Sequence, residues 1–258
     1  MIRTLLVRGM IVGVIAGLLG FGMAYLFGEP QVDRAIDFEQ QMDKAKEAAA
    51  APVVDGGSMS QGTEEQELVS RPVQSTWGLG TAVLVYGASI GGIFALVYAF
   101  ALGRFTGVSP RALAVLLALA AFITIAIAPD LKYPANPPAV GNPDTIGPRT
   151  GLYLAMIVIS IGAMVSAILT GRSLYPKHGL WTSTIVGAVL YIAIVTVANL
   201  LLPDVQEVPE GFPAVVLWRF RVANLGIQAV LWSTMGLLFG YLTERSLQAG
   251  RAVLRPAH

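Results

Sequence analysis

Residues 181–202 read WTSTIVGAVLYIAIVTVANLLL, without one charged side chain. At about 1.5 Å per residue in a helix, the run is long enough to cross the roughly 30 Å hydrocarbon layer of a bilayer. Water is absent there, so each backbone N–H and C=O must be bonded inside the segment, which a helix achieves and an isolated strand does not. Runs of the same kind lie near 5–27, 77–102, 111–128, 150–170 and 214–242, the one at 111–128 being the shortest. Composition agrees: of 258 residues, 55% are apolar and only 13% charged, about half the charged share of a soluble domain. The mean hydropathy is +0.66. The expected fold is all-α, a polytopic helical membrane protein of about six transmembrane helices, with residues 1–258 forming a single integral membrane domain.

Charge orients the spans. Arg3, Arg8, Arg104, Arg111, Arg172, Lys177, Arg245, Arg251 and Arg255 fall on one side with the single acid Glu244, and the other acids fall on the opposite side. Cytoplasmic loops are the basic ones, so both termini are expected in the cytoplasm. Arg3 and Arg8 precede an apolar run as in a signal peptide, but that run continues to Phe27 without an A-x-A-like site, and an uncleaved helix is expected. The outward surface then comprises an acidic insertion with a flexible linker (28–76), a Pro-rich loop (129–149) and a short acidic loop (203–213) carrying Asp204, Glu207 and Glu210.

The same arithmetic excludes several functions. A net charge of +1 leaves no basic excess for a nucleic-acid partner. With no cysteine and only His178 and His258, thiolate and multi-imidazole metal sites are ruled out within one chain. There is no G-x-x-x-x-G-K-[ST] or H-E-x-x-H, and GASIG (87–91) fits the letters G-x-S-x-G only inside an apolar run, without the strand-to-helix elbow that chemistry needs, so neither P-loop ATP hydrolysis nor an enzyme is expected. A moved solute would draw on a gradient or on another protein.

Three features carry candidate chemistry. Glycines four apart, Gly9, Gly13 and Gly17, then Gly87 and Gly91, then Gly236 and Gly240, read as close helix packing. In the last span Arg221, Asn224 and Gln228 share one face, with Trp232 continuing the stripe. Polar groups at membrane depth face the bundle or a wet cavity, so these three are candidate lining of a transport path. Arg221 either snorkels outward or fixes a carboxylate, for which Glu29 and Asp33 are candidates. Arg219 reads as an interfacial anchor, and Asn199 as an interhelical hydrogen bond.

Residues 131–150, LKYPANPPAVGNPDTIGPRT, are stiffened by prolines 134, 137, 138, 143 and 148. Asp130, Asn136, Asn142 and Asp144 add oxygen donors there, with Lys132, Tyr133 and Arg149 at the margins. Hard and borderline divalent ions take carboxylate and amide oxygen, making Asp130, Asn136 and Asp144 the candidate metal-capture groups; the alternative is a rigid cap over the helix ends. Residues 31–50 read as an acidic helix with a solvated face, and 52–67 as a linker.

The stretch LKYPANPPAVGNPDTIGPRTGLY (131–153) resembles the signature of the CbtA family of cobalt transporter subunits. GGIFALVYAFALGR (91–104), LWRFRVANLGIQAVLW (217–232) and FGYLTER (239–245) are similar to that family as well. The resemblance implies a bacterial inner-membrane protein of cobalt uptake, with Co²⁺ as substrate rather than resident cofactor. It also implies a small single-helix CbtB partner whose histidines bind metal. It supplies no ligand set. Co²⁺ favours imidazole beside oxygen, while His178 is expected on the cytoplasmic side and His258 ends the chain, so selective capture calls for that partner or for a homo-oligomer. A non-transporting scaffold or regulatory subunit is the competing reading.

Overall fold

A computed structural model describes residues 2–50, 70–105, 107–138, 140–141 and 143–253, and every regular element among them is helical. The linker expected at 52–67 and Asn142 lie outside the described residues. Helix α1 (Ile2–Met23) passes through a π-helical turn (Ala24–Gly28) straight into α2 (Glu29–Ala50). The acidic helix read at 31–50 is therefore the extension of the first span. Helix α3 (Arg71–Val73) and a second π turn (Gln74–Gly78) lead into α4 (Leu79–Ala101) in the same manner. The chain leaves α4 at Gly103, whose φ of +86° is costly for any residue with a Cβ.

Helix α5 (Pro110–Ala121) begins where Ser109 accepts a hydrogen bond from Ala112 N–H at 3.1 Å and Pro110 occupies the first turn. A third π turn (Phe122–Ile127) joins it to α6 (Ala128–Lys132). This corrects two expected boundaries. The third span runs to Lys132 instead of stopping at 128, and Asp130 belongs to its last helical turn, not to a loop beginning at 129. Proline at 129 normally signals a helix end. Here the π turn has already shifted the bonding pattern, and the Ile125 carbonyl, four residues before Pro129, accepts from Tyr153 Oη at 3.5 Å.

Helix α7 (Pro143–Leu201) is interrupted at Gly179, with φ +73° and ψ 175°. Its two arms are antiparallel. Ser160 Oγ lies 2.8 Å from Tyr191 Oη, and a Cβ on Gly187 would stand 3.0 Å from the Ala167 carbonyl, one on Gly171 3.3 Å from that of Ser183. The stretches expected at 150–170 and 181–202 are thus the arms of one hairpin. Helix α8 (Ala214–Thr234), a fourth π turn (Met235–Phe239) and α9 (Gly240–Val253) complete the described chain. Five of these helical stretches are long and apolar enough to cross a membrane.

The glycine stripes do what close packing requires. A Cβ on Gly13 would meet the Gly87 carbonyl at 2.1 Å, and one on Gly91 would meet that of Gly9 at 2.1 Å, so α1 and α4 touch backbone to backbone. Gly236 and Gly240 bring the last span close to α5, where an added Cβ would stand 2.9 Å from the Ala118 Cβ and 3.1 Å from that of Ala114. Around these seams lies the main core, with Val12, Ala16, Tyr98, Ala114, Leu231, Met235 and Phe239 all buried. Phe239 stands edge-on to Phe94 and Tyr98, with ring centroids 5.4 and 5.0 Å away. A second core joins α6 to the α7 hairpin through Ala128, Tyr133, Met156, Ala163, Val195 and Ala198. The third is small but positions the site. Ala35 of α2, Val140 of the Pro-rich loop and Phe212 of the last outer loop are buried together, and Phe38 meets Phe212 edge-on at 5.1 Å.

Candidate functional site

The outer ends of α6, α7 and α8 converge on the Pro-rich loop, which in the structure begins at Tyr133. Arg221, about two turns inside α8, donates from Nε to the Ala135 carbonyl at 3.3 Å and from Nη2 to Asn136 Oδ1 at 3.0 Å. One turn deeper, Asn224 Nδ2 donates to Asp130 Oδ2 at 3.0 Å. Four of the six sequence-derived candidates, Asp130, Asn136, Arg221 and Asn224, therefore form one constellation. Two of the candidate capture groups thus bond directly to two of the candidate lining residues.

Two residues that the sequence did not single out as ligands complete it. Glu207 has its backbone at the surface, yet its carboxylate side chain is 1% exposed and turns inward. There it meets Arg149 Nε at 3.4 Å and accepts from Thr145 Oγ1 and, at 3.5 Å, from Asn136 Nδ2. Arg149 also donates to the Pro134 carbonyl, and Lys132 pairs with Asp204. Tyr133 Oη donates to the Pro203 carbonyl at 2.8 Å, and burial pushes its phenol above the ordinary value, keeping it a donor. A cavity of about 170 Å³ opens among Tyr133, Asn136, Arg149, Glu207 and Arg221.

The remaining candidates lie elsewhere. Asp144 is exposed in the first turn of α7, and its neighbour Thr145 is the residue that reaches Glu207. Gln228 continues the Arg221–Asn224 face, but among the described residues its buried Oε1 has no hydrogen-bond partner, nor has Trp232 Nε1 one turn further on. Glu29 and Asp33, expected as carboxylates for Arg221, are held instead by Arg71, with Asp33 Oδ1 3.0 Å from its Nη2. Arg71 sits closer to them along the outer surface, while Arg221 is drawn to the loop above its own helix. Asn199 donates to the Val195 carbonyl of its own helix at 3.1 Å, and among the described residues this intrahelical bond stands where an interhelical one was expected. Arg219 is exposed beside a cavity of about 370 Å³ between α1, α2 and α8.

Chemically, the constellation is a balanced polar plug. Its oxygens already accept from guanidinium and amide donors, and among the described residues no group of three or more His, Cys, Asp or Glu could hold a metal ion. Arginine beside Asn136 Oδ1 repels any cation that would bind there, so this arrangement admits a divalent ion only after Arg221 moves.

No curated protein and no solved structure matches the chain. A family model does, over residues 2–244, and its description is "Probable cobalt transporter subunit (CbtA)". An all-helical, multi-pass chain with a polar seam at one end of its bundle suits a membrane subunit of a transporter, and by that match the chain belongs to the CbtA family.

Proposed function

We propose that this chain is the bacterial inner-membrane subunit of a Co²⁺ uptake system, closed at its outer end by the Arg221 constellation. The carrying observation is that hydrogen bonds spanning 85 and 94 residues of sequence tie the Pro-rich loop and Asp130 to one face of α8 beside an open cavity. In this reading the α7 hairpin contributes two crossings, giving about six in all, with both termini in the cytoplasm. Co²⁺ enters over the outer loops, Arg221 releases Asn136, and the freed amide oxygen joins the carboxylates of Asp130 and Glu207 as transient ligands. Asp144 collects the ion at the entrance, and Asn224 and Gln228 line the path beyond. Imidazole comes from a small histidine-bearing CbtB-like membrane subunit or from a further copy of this chain.

The test is Co²⁺ entry into liposomes, against Ni²⁺, Zn²⁺ and Mg²⁺, with and without the neighbouring small subunit. Saturable entry that falls at least about tenfold in Asp130→Asn combined with Asn136→Ala, consistent with losing charged-group contacts of about 1.5–3 kcal/mol each, supports the site. Unchanged entry at equal protein level removes these residues from the route. A second reading, a non-transporting scaffold for a separate transporter, is favoured by the absence of a metal-ligand cluster among the described residues. Flux that persists in a partner complex lacking this chain would establish it.

A further inference from the structure

The opposite end of the bundle holds a cavity that the transport reading does not use. Arg8 Nη1 donates to Thr243 Oγ1 at 3.2 Å, where α1 crosses α9. Thr243 is twenty-two residues beyond Arg221 along the same helical run, or about 33 Å at 1.5 Å per residue, which puts this crossing near the other membrane face. Beside it opens a cavity of about 560 Å³, lined by Arg3, Thr4, Val7, Arg8, Ile11 and Leu242. Thr4, Val7, Arg8 and Ile11 recur at i, i+3, i+4 and i+7, one face of α1. Arg3 and Thr4 lie nearest the start of α1, Arg8 one turn further in beside Val7, and Ile11 a turn deeper, so the lining passes from polar to apolar along the helix, with Leu242 of α9 as its other apolar member.

Neither arginine is in an ion pair among the described residues. Glu244, the acid next to Thr243, comes within ion-pair distance of neither. Two cations and a hydroxyl beside an open apolar surface match one ligand class. A free anion would fill only the charged end, and an apolar helix would leave both guanidinium groups unanswered. A phosphodiester carrying an acyl chain satisfies both parts through charge-assisted hydrogen bonds above and apolar burial below. Basic pockets between membrane helices on the cytoplasmic side hold anionic headgroups in this manner.

We propose that Arg3, Thr4 and Arg8 form a binding site for one anionic phospholipid of the cytoplasmic leaflet, its acyl chain lying against Val7, Ile11 and Leu242. The lipid then bridges α1 and α9, next to the single hydrogen bond described between them.

Native mass spectrometry of the full chain in detergent tests this, using phosphatidylglycerol and phosphatidylcholine with identical acyl chains at equal concentration. One basic side chain at an anionic surface is worth about fivefold, so the wild type should retain phosphatidylglycerol with a preference of about thirtyfold. Arg3→Gln should lose about fivefold, and Arg3→Gln with Arg8→Gln nearly all of it. Arg8→Gln also removes the bond to Thr243, so Arg3→Gln, which leaves that bond in place, decides the matter if the double variant does not fold. Equal retention of the two lipids, or a preference unchanged in Arg3→Gln, overturns the proposal. Full displacement of phosphatidylglycerol by inorganic phosphate also overturns it, because the ligand would then be the free anion.

Discussion

Glu207 shows how much can rest on one side chain that composition does not mark. It is one of three acids in a short outer loop, yet its carboxylate meets Arg149, Thr145 and Asn136 together. Glu210, three residues on, is exposed. Removing one partner of a buried ion pair leaves the other charge without compensation and costs about 3 kcal/mol or more. Glu207→Ala should therefore lower the thermal midpoint of the detergent-solubilised protein by several degrees. Glu207→Gln, which keeps an acceptor but not the charge, should fall between it and the wild type, while Glu210→Ala should change stability by no more than about 0.5 kcal/mol. Identical midpoints for Glu207→Ala and Glu210→Ala would mean that the network does not hold the loop.

The face formed by Arg221, Asn224 and Gln228 was legible because helical periodicity puts i, i+3 and i+7 together and lipid solvates none of them. Their partners were not. No local pattern connects Arg221 to Asn136, 85 residues earlier, and Glu29 and Asp33 looked equally available until Arg71 took them.

At the scale of the element, what the chain spells out best is where helices touch. Glycines at four-residue spacing in α1 and α4 foretold a close seam, and the Gly13–Gly87 and Gly9–Gly91 contacts supply it. Boundaries were harder to read, for a specific reason. Each of the four π turns lies where one helix is handed on to the next, and a π turn has no composition of its own. It carried the third span past Pro129 and put Asp130 on a helix, although proline argues for a stop there. The seam and the open stretches of α7 can be told apart by the same substitution. Gly13→Ala places a Cβ 2.1 Å from a backbone carbonyl that cannot rotate away, so the helices must separate, at a cost of about 1–3 kcal/mol or more. Gly162→Ala has nothing within 4 Å of the new Cβ and should be neutral or stabilise the helix by up to about 1 kcal/mol. Thermal unfolding of the two purified variants checks the contrast. A loss in Gly162→Ala equal to that in Gly13→Ala would contradict the seam.

On the scale of the whole molecule, α2 packs against the two outer loops that carry the constellation. Hydropathy assigned that helix only to the outside, because an acidic face says nothing about what its apolar minority covers. Ala35 is fully buried and Phe38 packs on Phe212 at the base of the last loop. Arg71 meanwhile holds Glu29 and Asp33 near the root of α2. If the ion reaches Asp130 and Asn136 from outside, α2 and the 203–213 loop must part or leave a side entrance. Fixing them together separates these two routes. The chain has no cysteine, so Phe38→Cys with Phe212→Cys introduces the only reactive pair, and a short thiol-specific cross-linker with a reducible bridge should join the two sites. Cross-linking should suppress Co²⁺ entry in the reconstituted system, and reduction should restore it, while each single-cysteine variant treated alike should be unaffected. Complete cross-linking with undiminished entry would leave the fold intact but show that the ion passes beside α2, through the cavity bordered by Tyr133, Arg149 and Glu207, without any opening of the Phe38–Phe212 contact.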